Sequence, residues 1–329
     1  INRGHTSGDG FYSKACKKLF EKEIGIKKSL LTTSCTHALE MTALLLDIKP
    51  GDEIILPSFT FVSTVNAFLI RGAKPVFVDI KYSTLNINED LIEDLITKNT
   101  KAIIVVHYAG IACEMNKINY LAKLYNLCII EDNAHGLFGK YKDTYLGKLG
   151  TFSTQSFHET KNFSCGEGGA LFINDPNYIE RAEIIREKGT NRTKFIRNEI
   201  DNYSWVDIGS SYLLSEFQSA ILYAQLENRK KIQHKRKKVW DFYYTNLKAW
   251  SIEKKIRLPI VPKECEQSYH IFYLLMPSKS VRTQFIKHLK HKGIASSFHY
   301  IPLHSSEMGK KSGYKSGDLP ITEKVSDCI

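Results

Sequence analysis

The chain has 329 residues, more than one hydrophobic core usually serves, and its 43% hydrophobic and 25% charged residues are those of an ordinary soluble globular protein. No apolar run approaches the ~20 residues needed to cross a bilayer and no signal peptide opens the sequence, so neither a membrane-spanning nor a secreted chain is expected. A net charge of +11 leaves nucleic acid, an anionic membrane surface or a small phosphorylated substrate as partners. Much of that excess sits in RKKIQHKRKK (229–238), which reads as a solvated helix face, so neither nucleic acid nor membrane is an expected partner. The seven cysteines are scattered without a CxxC pair. Their spacing suits neither a zinc site nor a disulfide framework, so no metal is expected, and reduced thiols in the cytoplasm are the simplest account.

From residue 36 to about 190, short apolar runs alternate with helical patterns. THALEMTALLLDI (36–48) places Ala38, Met41 and Leu45 at helical spacing, and MNKINYLAKLYN (115–126) is similar. DEIIL (52–56), KPVFVDI (74–80), KAIIVVHY (101–108) and LCIIED (127–132) are nearly continuous apolar segments, the pattern of strands buried on both faces. Such alternation predicts crossover units and an α/β fold with a largely parallel sheet. TFSTQSF (151–157) and GALFIND (169–175) predict two further strands, and IERAEIIREKG (179–189) a helix stopped by Gly189. Residues 210–250 read as one very long helix or two in succession, a length that commonly bridges domains. Beyond it, strand-like runs at 267–276 and 294–303 flank a helix at 281–293, which suggests a small C-terminal α+β domain. The expected division is therefore a large domain over 1–230 and a small one over 231–329. The chain begins at Ile1 rather than Met and stops at Ile329, so residues are expected to be missing at both ends.

One lysine stands out. Lys161, in SFHETKNFSCGEGGA (156–170), lies between an apolar approach and a glycine-rich loop. Lysine ordinarily stays on solvated surfaces, and a surface loop explains it without further assumption. The alternative is an amine that forms a Schiff base with a carbonyl cofactor. Sheets of this class bind ligands at the carboxyl ends of their strands, which is where the other parts of such a site would lie. Asp132 follows the run ending in Ile130; it either caps and hydrates the strand end or pairs with a protonated pyridine nitrogen. TTSCTHALEM (32–41) brings hydroxyls into a helix start, with Thr36 and His37 in its first turn, which serves an N-cap or a phosphate. Ser156 adds a hydroxyl near Lys161, and Phe61 in PSFTFVST (57–64) offers a ring for the core or for stacking on a heterocycle. The glycines at 166, 168 and 169 let backbone approach closely but lack the strand–GxGxxG–helix context of a dinucleotide site.

Taken in order, TSCTHALE, PSFTFVSTVNAF, VVHYAG, EDNAHG, SFHETKN, GEGGAL, REKGTNR, DIGSSYLLSE and FHYIPLH resemble the DegT-type sugar-nucleotide aminotransferases over about residues 8–305. The resemblance implies a pyridoxal-phosphate (PLP)-dependent transferase of fold type I, the aspartate-aminotransferase type, acting as a homodimer with active sites at the interface. SFHETKN, REKGTNR and DIGSSYL are most similar to the dTDP-4-amino-4,6-dideoxygalactose transaminases. That implies glutamate as amino donor, C4 of dTDP-4-keto-6-deoxy-D-glucose as acceptor, and a role in lipopolysaccharide or another surface antigen. A C3 aminotransferase of the same family is the nearest alternative. The related sugar dehydratases carry histidine where this chain has Lys161.

Carried over by motif, the resemblance makes Lys161 the cofactor-bearing lysine and sets Asp132 against the pyridine nitrogen. Thr36, His37 and Ser156 would hold the phosphate and Phe61 would stack on the ring. Two positions depart from the family pattern. Ser211 stands where the partner chain usually lends an asparagine to the phosphate, and His135 stands where a glutamine usually touches the phenolic oxygen, introducing a titratable group. Lys188, Asn191 and Arg192 are candidates for the substrate diphosphate, and His299 and Tyr300 for the sugar and nucleotide, although surface charge and a proline-anchored turn explain them equally well.

Overall fold

A computed structural model describes residues 4–329. In chain order the strands are β1 (Lys28–Thr32), β2 (Glu53–Pro57), β3 (Lys74–Val78), β4 (Thr100–Val106), β5 (Cys128–Asp132), β6 (Lys140–Tyr141), β7 (Thr144–Tyr145), β8 (Phe152–Ser156), β9 (Gly169–Ile173) and β10 (Cys265–Glu266). The α-helices are α1 (Phe11–Ile24), α2 (Cys35–Leu45), α3 (Ser63–Leu69), α4 (Met115–Leu124), α5 (Ile179–Arg186), α6 (Arg192–Ile196), α7 (Glu216–Glu227), α8 (Arg229–Glu253), α9 (Lys279–His291), α10 (Glu307–Lys311) and α11 (Pro320–Cys328).

Among the described residues, seven strands form one sheet in the order β1-β9-β8-β5-β4-β2-β3. Pairing is parallel from β8 through β5, β4 and β2 to β3, while β9 runs antiparallel to both β8 and β1. The continuous apolar strands follow from burial on both faces. Ile54, Leu56, Ile104 and Ile130 enter one core with α2, α3 and α5, and their neighbours Ile55, Ile103, Val105 and Ile129 enter a second core with α4. All strands of this sheet but β9 therefore present their carboxyl ends at one edge, and β9 starts from that edge.

The long helical stretch is two helices, α7 and α8, meeting at Asn228. The runs at 267–276 and 294–303 do not form the expected strands. Residues 267–276 find pairing only through the bridge between Arg257 and Leu275, and β10 joins β6 and β7 in a small separate sheet. Their apolar side chains go elsewhere: Tyr273 and Leu275 share a core with Phe59, Ile80, Leu85 and Tyr108 from the large sheet's end and with Val325 and Ile329 from the C-terminus, and Tyr300 packs against it. That shared core draws residues 299–304 toward the sheet edge, where the candidate site lies.

Candidate active site

Chain turns after β1, β2, β5 and β8 meet over that edge and enclose a cavity of about 420 Å³. Its lining includes Cys35, Thr36, Phe61, Ser63, Thr64, Asp132, His135, Ser156, Lys161, His299 and Tyr300, so residues as far apart as 35 and 300 share one space. Gly169 makes one of these approaches possible. A Cβ there would lie 2.3–2.5 Å from the backbone of Ser34 and Cys35, so only glycine lets β9 start against the N-terminus of α2.

Asp132 is the last residue of β5 and is buried. Its carboxylate accepts hydrogen bonds from Thr64 Oγ1 at 2.7 Å and from the Ala134 N–H at 3.2 Å. Burial raises its pKa above the usual carboxylate value; the two hydrogen bonds and the neighbouring Lys161 and His107 pull the other way. Lys161 sits in the turn after β8, its N–H donating to His158 O at 2.9 Å. Among the described residues its ammonium has no hydrogen-bond or ion-pair partner. Burial lowers its pKa, opposed by Cys35 and Asp132. An amine so held is more often neutral, hence nucleophilic, than a solvated one.

The first turn of α2 opens into the same cavity. Ser34 caps the helix by accepting the His37 N–H at 3.1 Å, and Thr36 Oγ1 donates to Ser63 Oγ at 2.8 Å. With Ser156, these hydroxyls and the helix N-terminus make a corner whose donors could hold an anion. Phe61 is 58% exposed, at the mouth, with the Tyr300 ring 6.4 Å away. Tyr108 Oη lies 3.1 Å from His299 Nδ1, and burial together with the Lys161 charge lowers the His299 pKa to about 4.

Not every expected residue reaches this space. His37 does not line the cavity: its Nδ1 is hydrogen-bonded by Thr33 and its ring stands edge-on to Tyr212 at 5.1 Å. Lys188, Asn191, Arg192 and Ser211 also lie outside it and form a unit of their own. The Lys188 N–H donates to Ser210 O at 3.0 Å, the Ser204 N–H donates to Asn191 Oδ1 at 2.8 Å, and Glu187 bridges to Ser211 as well as pairing with Lys188 and Arg192. Conversely, Ser63 and Thr64 carry roles not read from the sequence. The signal was the hydroxyl spacing Thr60, Ser63, Thr64 in PSFTFVST, which a helix start turns toward β5.

A lysine with no partner among the described residues and a buried aspartate share one cavity at the carboxyl edge of a mixed sheet, an arrangement that fits a transferase working through a carbonyl cofactor. The sequence of residues 1–329 matches the model of the DegT/DnrJ/EryC1/StrS aminotransferase family, and the chain belongs to that family. It is 37% identical over 316 residues to the uncharacterized protein MJ1066 of Methanocaldococcus jannaschii, covering 94% of this chain and 81% of that one. It is 32% identical over 328 residues to the spore coat polysaccharide biosynthesis protein SpsC of Bacillus subtilis, covering 96% and 84%. The solved PMP-form of Spr1654 from Streptococcus pneumoniae, which is 25% identical, superposes with a TM-score of 0.90 over 99% of this chain and 86% of that one. The expected fold, that of the PLP-dependent aminotransferases, is the fold observed.

Proposed function

We propose that this aminotransferase moves the amino group of L-glutamate to C4 of dTDP-4-keto-6-deoxy-D-glucose. The products are dTDP-4-amino-4,6-dideoxy-D-galactose, for surface polysaccharide biosynthesis, and 2-oxoglutarate. Its cofactor is pyridoxal phosphate. The observation that carries the reading is the pairing, in one 420 Å³ cavity, of the partnerless Lys161 amine with the Thr64-anchored Asp132. The polysaccharide role draws support from the name of the SpsC relative. The choice of C4 is supported by SFHETKN, REKGTNR and DIGSSYL.

The residues present fit the cofactor. The cavity offers hydroxyls and a helix N-terminus for a phosphate, an aromatic face at Phe61, a carboxylate for a ring N–H and an amine for an aldehyde. When bound, pyridoxal phosphate supplies the carbon that exchanges nitrogen between donor and acceptor and a ring that withdraws electrons. Asp132, kept in place by Thr64 and Ala134, would hold the proton on the ring nitrogen of the cofactor. Lys161 Nζ, which has no ion pair among the described residues, would hold the aldehyde carbon of the cofactor and, once the donor amine has taken its place there, would be free to move a proton to or from the substrate carbon. Thr36, Ser63 and Ser156 bind the phosphate. His299 and Tyr300, at the mouth, border the sugar and exclude water from one side.

The working unit is a homodimer. Trp205 is 79% exposed, and Val206 and Ile208 beside it are also exposed, in the stretch that leads to Ser211. Such an apolar run next to a structured loop suits a subunit contact. From there the unit of Lys188, Asn191, Arg192 and Ser211 serves the second copy's cavity, Ser211 toward the phosphate and the basic pair toward the substrate diphosphate.

The test is direct. Purified protein, pyridoxal phosphate, L-glutamate and dTDP-4-keto-6-deoxy-D-glucose are incubated and the product is read by NMR. The expected result is one equivalent of 2-oxoglutarate per 4-amino sugar. No 2-oxoglutarate with any of a panel of keto-sugar nucleotides overturns the reading; nitrogen at C3 overturns the regiochemistry.

A further inference from the structure

Three histidines stand near Lys161. The His135 ring lies 4.4 Å from that of His270 and 6.4 Å from that of His299. Among the described residues no group of three or more potential ligands is arranged to hold a metal, so the cluster calls for another explanation.

The hydrogen bonds assign the protons on two of the rings. The Ala109 N–H donates to His135 Nδ1 at 3.3 Å, which makes Nδ1 an acceptor and leaves the ring proton of a neutral histidine on Nε2. That N–H is aimed by a tight turn: Ala109 has φ +55°, and the Tyr108 N–H donates to Asn86 Oδ1 at 2.9 Å. The Asn86 amide is itself oriented, because its Nδ2 donates to Ile111 O and Ala112 O at 3.0 and 2.9 Å. Ser268 holds the same histidine from behind, Oγ donating to His135 O. His270 is fixed in the complementary way. Asn162 Nδ2 donates to Ser268 O at 2.7 Å and to Gln233 Oε1 at 3.2 Å, so its Oδ1 must accept, and His270 Nδ1–H donates to it at 2.8 Å. Asn162 directly follows Lys161. His135 Nε2, by contrast, has no partner among the described residues, and His135 lines the cavity.

We propose that His135 is a permanently neutral hydrogen-bond donor, locked as its Nε2–H tautomer and offering that N–H to the cavity beside Lys161, with Asn162 and His270 as the positioning residues that hold it. Its target, an oxygen of the bound cofactor, rests on the function proposed above; the tautomer does not. A second proton would have to enter at Nδ1, where the Ala109 N–H already points, so the imidazolium loses a hydrogen bond and gains a repulsion. The titratable groups facing the ring are Tyr108, His270, His299 and Lys161. None is an acid that would welcome a cation at neutral pH. Burial, then His270, Lys161 and His299, hold the His135 pKa well below the ordinary histidine value. A residue type that normally switches charge near neutrality is thereby made to act like an uncharged amide.

The test begins without cofactor. In protein labelled with ¹⁵N-histidine, the ring signals of His135, identified by their disappearance in His135→Gln, should show the neutral Nε2–H pattern unchanged over roughly pH 6 to 8. An Nδ1–H pattern, or titration in that window, overturns the lock. His270→Phe, which keeps a ring but loses the tie to Asn162, should give a mixed His135 tautomer. Asn162→Ala repeats this arm where His270→Phe fails to fold, and an unchanged His135 pattern in a folded variant overturns the positioning role. With cofactor bound, His135→Gln should keep the wild-type absorbance–pH profile, whereas His135→Leu should shift it and lose about tenfold in kcat/KM, the loss of one hydrogen bond to a charged group. Equal behaviour of the two variants overturns the donor role. A chain that takes up no cofactor overturns the function proposed above, while the ring spectra still decide the tautomer.

Discussion

Thr64 Oγ1 donates to Asp132 Oδ2 at 2.7 Å across 68 residues of sequence, and both groups are buried. Thr60 Oγ1 lies 2.8 Å from Thr64 Oγ1, so with Thr64 committed to the carboxylate, Thr60 donates to Thr64. The start of α3 is thus wired to the end of β5, and the carboxylate is aimed before any ligand arrives. Preorganisation of this kind makes a buried charge useful despite its desolvation cost.

Asp132→Asn separates the cost from the use. The folded-state pKa of Asp132 is raised above its ordinary 3.8, so its contribution to stability is fully present below pH 3.8 and is lost as pH rises through the raised value. Cofactor-free Asp132→Asn is expected to melt at a higher temperature than wild type at pH 7, with the gap closing in acid. Its aminotransferase activity should fall about 100-fold or more, the scale of a lost electrostatic contact at a reacting centre. Scanning calorimetry across pH and steady-state rates check both halves; a variant less stable at pH 7 contradicts the argument.

Lys161→Ala should give no turnover, and borohydride should no longer fix the cofactor covalently to the 156–170 peptide. The stability sign is the reverse of that for a paired lysine. The folded pKa lies below the ordinary 10.5, so stability is fully present above pH 10.5 and is lost as pH falls through the lowered value. Without cofactor, the variant is expected to match or exceed the wild-type melting temperature at neutral pH, with the difference vanishing above pH 10.5. A clear loss of stability at pH 7 would show that the amine has a structural partner.

The inner strands were legible because burial on both faces leaves an unbroken apolar run, and all of those expected between residues 52 and 175 form. Asp132 was legible as a charge closing the apolar run of β5, and Lys161 as a charge between an apolar approach and a glycine-rich loop; both line the cavity. Helix α1 was not read, because its apolar positions Cys16, Phe20 and Ile24 are diluted among four lysines. Its start is instead fixed at long range by Glu216, whose carboxylate accepts from the N–H groups of Gly10, Tyr12 and Ser13. The strand pattern at 267–276 misled because periodicity reports burial and not pairing. For His37, a position in a helix's first turn does not say which way a ring points, and the ring meets Thr33 and Tyr212.

Gly169→Ala tests how closely β9 and α2 must approach. The added carbon would lie 2.3–2.5 Å from the backbone at Ser34 and Cys35, which has no flexible end to yield. A destabilisation of about 1–3 kcal/mol is expected in urea melts, the range for forced overpacking. Because the displaced turn carries Thr36, cofactor affinity should fall more than that of Gly166→Ala, where a Cβ meets nothing within 4 Å and only the positive φ is strained. Equal effects would argue that the close approach has no bearing on the anion corner.

His304 is buried between Ser58 Oγ, 2.7 Å from Nδ1, and Glu323 Oε1, 2.9 Å from Nε2, and its own N–H donates back to Ser58 Oγ at 3.0 Å. A serine–histidine–glutamate series suggests a nucleophile, yet Ser58 and His304 are sealed from the cavity. The physical role is a clamp: it ties the segment that carries His299 and Tyr300 to the end of β2 and to α11. His304→Ala leaves a buried hydroxyl and a carboxylate without this partner, which should cost about 1–3 kcal/mol. Because the clamp acts on the cavity mouth, KM for the sugar nucleotide should rise while the absorbance of the bound cofactor stays at its wild-type position. A shifted cofactor band with KM unchanged would place the effect at the cavity floor and refute the clamp.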